Sequence, residues 1–364
     1  MTSLWCEDDY EEEDFIGCPS ADSIPSDVMH NIHSFAGPKA AARLNNTNSK
    51  INSKSSLIES TFSNPTDLLW NAVVMNRVDI VEGILKQYPN INVNSIRPYS
   101  PVPGYKFNVS LVNRAIISMD DHQNTIKLLV DHGANIEARD DRGNTSLHYA
   151  VEYLKLNMTL NLLSRYQLSP NSIDNNGYTP MIKAILTSGD EELKVRMVKS
   201  LLSWGANVNE TVDHKKNTPL YYACNPINRN IIEVLLTNGA DVNLHYNGNN
   251  FEQIPVIRMM MSLDLEDDLD VIEMLLYHKA DISIPNERGD NTLHIAAKLQ
   301  TLTVIKILVN HIIKQGKYSL LFKENSDGLT PMNVASKSKN RKAQGNKDFL
   351  NSIMHKYKNR PDII

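Results

Sequence analysis

One short pattern returns along most of this chain, and its period limits what the chain can fold into. It is a polar residue, then Pro or a small polar residue, then an apolar one. It reads Thr145-Ser146-Leu147-His148, Thr179-Pro180-Met181, Thr218-Pro219-Leu220, Asn291-Thr292-Leu293-His294 and Thr330-Pro331-Met332. Weaker copies are Thr66-Asp67-Leu68, Val109-Ser110-Leu111 and Ile254-Pro255-Val256. The spacing of the apolar member runs from 34 to 43 residues. A second pattern follows in step, an apolar pair and then a turn: Leu128-Leu129 with Gly133-Ala134-Asn135, Leu201-Leu202 with Gly205-Ala206-Asn207, Leu235-Leu236 with Gly239-Ala240-Asp241, and Leu275-Leu276 with Lys279-Ala280-Asp281.

The chemistry of each unit is that of two short helices. The Thr caps a helix by accepting from an early backbone N–H. Pro suits the first helical position, where its missing N–H costs nothing. The apolar residue and a later Ala, such as Ala184, face inward, and the paired leucines line a second helix. Gly ends that helix in a left-handed conformation. One such unit cannot bury its apolar face alone; a stack of them can.

These residues resemble the ankyrin repeat, with its period near 33 and its T-P-L-H-x-A signature. The resemblance covers about residues 66 to 357 in seven or eight units. It implies an all-α solenoid that binds other macromolecules. Several units exceed the usual length. Residues 94 to 107, rich in Pro and Tyr, read as an inserted loop, as do Gly189-Asp190-Glu191-Glu192 and Leu265-Glu266-Asp267-Asp268. The last unit runs into the basic stretch from Lys337 to Lys342 and loses its turn, as an end cap would.

Before the repeats, residues 7–14 form an acidic block, a composition that self-repels and argues for disorder. Ile24, Val28, Ile32 and Phe35 then recur at helical spacing, with Pro25 and Asp27 near the helix start and Gly37-Pro38 beyond its end. This segment resembles an F-box: Ile24-Pro25, Asp27-Val28, Ile32, Ser34-Phe35, Arg43-Leu44 and Thr47-Asn48-Ser49-Lys50 follow that family's order. Ile24 stands where Leu is usual, and Ala36-Gly37 replaces a Leu. The resemblance implies docking to a Skp-family adaptor through Ile24, Pro25, Val28, Ile32, Phe35 and Leu44, and through it to a cullin-RING ubiquitin ligase. The alternative is that the same stripe caps the first repeat over Leu68, Leu69 and Trp70. An N-terminal F-box ahead of ankyrin repeats is similar to effectors of intracellular bacteria. Poxviral ankyrin proteins are similar too, with the segment at the other end. The expected organisation is a leader over 1–20, an F-box-like module over 21–62, repeats over 63–357 and a tail over 358–364.

The net charge of −5 argues against a general nucleic-acid binder. No apolar run is long enough to span a membrane, and the acidic N-terminus is unlike a secretory signal. The final five residues contain no Cys, so no prenyl anchor is signalled. The three cysteines, Cys6, Cys18 and Cys224, form no CxxC pair, which fits a reducing cytoplasm, that of a host cell for a pathogen effector. No catalytic constellation is expected. Cys224 reads as a buried residue inside a helix, His30 and His33 as surface residues, and His148 and His294 as loop braces. No metal or cofactor is expected. Target contacts are expected at the exposed loop tips: Arg139, Asp141, Arg142, Asn175, Asp213, His214, Lys216, Tyr246, Glu287 and Arg288.

Overall fold

The computed structural model describes residues 64–102, 105–118, 122–210, 217–224, 228–244, 269–299, 302–337 and 341–359. The leader, the F-box-like module with its six adaptor-facing residues, the tail beyond residue 359, and loop residues Asp213, His214, Lys216 and Tyr246 lie outside them. So do the unit start near Ile254 and the Leu265–Asp268 insertion.

Helices come in pairs. The first members are α1 Pro65–Val74, α3 Leu111–Ile117, α5 Ser146–Glu152, α7 Pro180–Leu186, α9 Pro219–Ala223, α12 Thr292–Leu299 and α15 Pro331–Lys337. The second members are α2 Val78–Gln87, α4 Gln123–Asp131, α6 Leu156–Ser164, α8 Glu191–Ser203, α10 Arg229–Thr237, α11 Leu269–Tyr277, α13 Leu302–Gln315 and α16 Arg341–Tyr357, with a short turn α14 Ser319–Phe322 after α13. First helices pack on first helices and second on second, giving two layers around one continuous apolar core.

The caps are as the signature chemistry requires, with a shifted register in the first two units. Thr179 and Thr218 accept from the amides of Ile182 and Tyr221 at 3.3 and 3.1 Å. In the first unit the cap is Asn64, not Thr66, with Pro65 at the first helical position. In the second it is Ser110, which places that signature one residue later than Val109-Ser110-Leu111. The leucine pair of the second unit is also out by one. Leu129, Leu201, Leu235 and Leu275 are the equivalent fully buried residues, each accepting at its carbonyl from the Ala N–H five residues on, whereas Leu128 is half-buried. The glycines that follow at 133, 205 and 239 have φ of 86–89°, and Lys279 takes the same left-handed place at 67°. Gly189–Glu192 is not a loop throughout: Asp190 caps α8, accepting from Leu193 N–H at 2.6 Å. Cys224 is buried, as expected, but ends α9 rather than lying within it.

The Pro- and Tyr-rich insertion is not a loop but an antiparallel hairpin, β1 Ile96–Val102 and β2 Tyr105–Ser110. It is a single two-stranded insertion into a helical solenoid rather than a further layer. Asn108 N–H turns away from β1 to the Asp141 carboxylate at 3.2 Å. Its partner Pro98 therefore has its nitrogen outward too, leaving no donor there to recruit a further strand.

Between units runs a ladder of asparagines. Asn94 donates its side-chain amide to Gly133 C=O at 2.9 Å and accepts from Asn135 N–H at 2.7 Å. Asn171 does the same to Gly205 and Asn207, Asn209 to Gly239 and Asp241, and Asn243 to Lys279 and Asp281. Each thus satisfies backbone groups that helix ends leave open. At the equivalent place in the second unit stands Glu137.

Candidate binding surface

The loop tips are built by an Asx residue and a glycine three later. Asp140 Oδ1 accepts from the amides of Arg142 and Asn144 at 3.0 and 2.6 Å; Asp174 does so from Asn176 and Tyr178 at 2.9 and 2.8 Å. Asn286 holds Arg288 and Asp290, and Asn325 holds Asp327 and Leu329, in the same way. A short side chain that bonds its own backbone two residues on folds a turn without help from elsewhere. Adjacent tips are then joined: Asn175 N–H donates to Arg142 C=O, and Ser326 N–H to Arg288 C=O, both at 2.8 Å. These four Asx residues were not among the sequence candidates. Their signal was Asx-x-x-Gly recurring in phase with the repeat.

Of the expected contact residues, four meet at neighbouring tips. Arg139 is exposed, yet donates to the carbonyls of Gly143 and Ile173. Asp141 accepts from Asn108, and Asn175 donates to Asp141 C=O at 2.9 Å. Arg142 is half-buried, 3.3 Å from Asp140 and 3.8 Å from the Phe107 ring centroid. This group therefore knits the hairpin to the next two tips. Glu287 and Arg288 are exposed on a separate tip.

Below the tips, aromatic rings line the first helices. Tyr99 sits edge-on to Phe107 with Arg114 4.9 Å over its face, and Phe107 stacks on Tyr149 at 6.2 Å. Tyr149 is fully buried and donates to Asp140 at 2.6 Å; burial and that carboxylate hold its hydroxyl protonated. Farther along, Tyr178 meets Tyr222 edge-on at 5.8 Å, and Lys183 lies 3.0 Å from Asp174 and 4.0 Å from Glu152. Tyr99, Tyr178 and Tyr222 are half-buried, so part of each ring is exposed to solvent.

The two signature histidines brace the loops, as expected. His148 Nδ1 accepts from Thr145 N–H at 3.2 Å and Nε2–H donates to Tyr178 C=O at 3.0 Å. His294 accepts from Asn291 N–H and donates to Leu329 C=O at 2.9 Å. Burial lowers both, His148 to about 4, so the neutral tautomer these bonds require is the one present at pH 7. Among the described residues no three His, Cys, Asp or Glu side chains gather to hold a metal ion, and no helix is long and apolar enough to cross a membrane.

Family models described as ankyrin repeats match residues 156–246 and 259–359, and a second such model matches residues 114–163. The chain belongs to the ankyrin-repeat family. It is 23% identical over 51% of its length to a putative ankyrin repeat protein of Acanthamoeba polyphaga mimivirus, and 25% identical over 46% of its length to one of fowlpox virus. It spans 23% of the first protein and 55% of the second. The human ASB11 ankyrin repeat domain aligns with 67% of the chain and 96% of its own length, at 21% identity and a TM-score of 0.48. Ankyrin repeats are scaffolds for protein–protein contact.

Proposed function

We propose that this ankyrin protein is the substrate receptor of a cullin-RING ubiquitin ligase, acting in the cytoplasm of a host cell. In this reading Ile24, Pro25, Val28, Ile32, Phe35 and Leu44 dock on a Skp-family adaptor bound to a cullin, and the repeats hold the target protein. The chain makes and breaks no bond itself; it raises the local concentration of target lysines near a charged ubiquitin carrier. The observation that carries the reading is the ordered F-box-like series from Ile24 to Lys50 ahead of an ankyrin array. Such a short segment cannot bury its own stripe and needs a partner.

Capping of the first repeat is the alternative. Trp70, which a cap would cover, already has partners in and beside the hairpin: its Nε1–H donates to Ser95 Oγ at 2.7 Å and Arg97 lies 5.1 Å over its ring. This favours the receptor reading. Target contacts then fall on the aromatic face and on the tip residues Arg139, Asp141, Arg142, Asn175, Asp213, His214, Lys216, Tyr246, Glu287 and Arg288. Glu287 and Arg288 are the best reporters among these, because their side chains bond nothing among the described residues.

Co-purification from eukaryotic extract is the test. Adaptor and cullin recovered with the parent chain and lost from a folded Ile24→Ala, Pro25→Ala, Phe35→Ala variant support the receptor. No adaptor with either chain overturns it.

A further inference from the structure

Charge is divided unevenly along this molecule. Residues 301–364 hold 12 of the 37 Lys and Arg but only 4 of the 42 Asp and Glu. The tertiary structure gathers part of that excess. Tyr318, just after α13, stacks on Tyr357 at the end of α16 with ring centroids 5.0 Å apart. That stack brings exposed Lys314 and Lys317 to the same end of the array as exposed Lys356 and Lys358, and Lys356 lies 5.4 Å from the Tyr357 ring.

The lysines act on shared neighbours. The Asp281 carboxyl of the preceding unit is lowered against the opposing effect of burial, chiefly by its hydrogen bonds from Ser283, with smaller contributions from both Lys317 and Lys323; burial disfavours the His311 proton, and Lys317 and Lys314 both push against it further. Among the described residues none of Lys314, Lys317, Lys323 and Lys356 is within 4.0 Å of a carboxylate. Like charges fixed together on a rigid frame repel, and an anionic occupant relieves that repulsion.

We propose that the occupant is this chain's own acidic block, residues 7–14, docked on the face formed by Lys314, Lys317, Lys323 and Lys356. Seven of those eight residues are Asp or Glu. The tether suffices. Helices pack about 10 Å apart, so eight units place this face about 70 Å from the first. The segment from Phe15 to Ser63 reaches roughly 160 Å when extended. Tethering also gives the block an effective concentration that a free nucleic acid or lipid surface lacks. Residues 15–300 carry 25 Lys and Arg against 31 Asp and Glu, so the rest of the chain offers a large polyanion no second basic surface. The inference is independent of the ubiquitin-ligase reading.

Zero-length carbodiimide cross-linking of the full chain, read by mass spectrometry, tests it. Links from Glu7–Asp14 should concentrate on Lys314, Lys317, Lys323 and Lys356 and fall about fivefold between about 0.05 and 0.5 M salt. Links to the retained Lys323 should fall several-fold in a Lys314→Gln, Lys317→Gln, Lys356→Gln variant that melts like the parent, and unchanged links to Lys323 would overturn the proposal. A mixture of isotopically light and heavy chains should give links within, not between, chains. Links scattered over Lys86, Lys127 and Lys199 as well, links mainly between chains, or no links overturn the proposal. In a second arm, changing the seven acids to amides should raise binding of a DNA duplex or a phosphatidylserine vesicle several-fold. Equal binding by both chains means the face is already open, and the proposal fails.

Discussion

Gly143 has no room for a side chain. Its φ is +78°, and a Cβ there would stand 2.5 Å from Asn175 Oδ1 and 2.8 Å from Asn175 N. Backbone strain and a clash with the next tip coincide, so Gly143→Ala should lower stability by about 2 kcal/mol in chemical denaturation. Lys279 poses the opposite case: it holds a left-handed helix end where three other units use glycine. Lys279→Gly removes that strain and should stabilise by roughly 0.5–1 kcal/mol. His148 couples stability to pH. Its folded value of about 4 lies below the unfolded value, so the unfolded chain binds the proton first. The stabilisation from its neutral form is complete above about pH 6.5 and should be lost as pH falls toward 4, on the order of 3 kcal/mol in all. A denaturation series across that window, with His148→Gln as comparison, measures it; equal slopes for the two proteins would refute the assignment.

At the scale of elements, the asparagine ladder is what joins one helix pair to the next outside the core. Glu137 interrupts it, beside a cleft of about 150 Å³ lined by Arg139, Thr145, Leu168, Ser169 and Ser172. Glu137→Asn should restore the bridge to the third unit and raise stability by about 1 kcal/mol, while Asn209→Ala should cost about 1–2 kcal/mol by leaving its two backbone partners open. Thermal melts of the two variants should therefore move in opposite directions. The hairpin is held differently, through Phe107 under Arg142 and against Tyr149. Caps and helix-ending glycines were legible because each acts within four or five residues of itself. The hairpin was not: its prolines argue for a loop, and the outward-facing nitrogen of Pro98 is what reconciles that residue with a strand.

For the whole molecule, a solenoid's stability is a sum over units and the interfaces between neighbours. Deleting residues 1–62 separates the two readings of the N-terminal segment. The receptor reading expects the melting temperature of the array to hold while adaptor recovery is lost. A cap would take stability with it, because its removal bares apolar surface on the first unit.

The repeat, its two-helix units, its inward leucines and its membership in the ankyrin family were written in the sequence, because helix caps, apolar spacing and glycine ends are local chemistry repeated in phase. Tertiary structure alone decided which tip residues are free and which are spent. Arg139, Asp141, Arg142 and Asn175 look like solvent-facing turn residues in one dimension, yet in three they bond the neighbouring unit, since a tip finds its partners about one repeat away. The asparagine ladder has the same origin: a single Asn in a loop carries no sign of the backbone groups it will meet until the next unit is stacked against it.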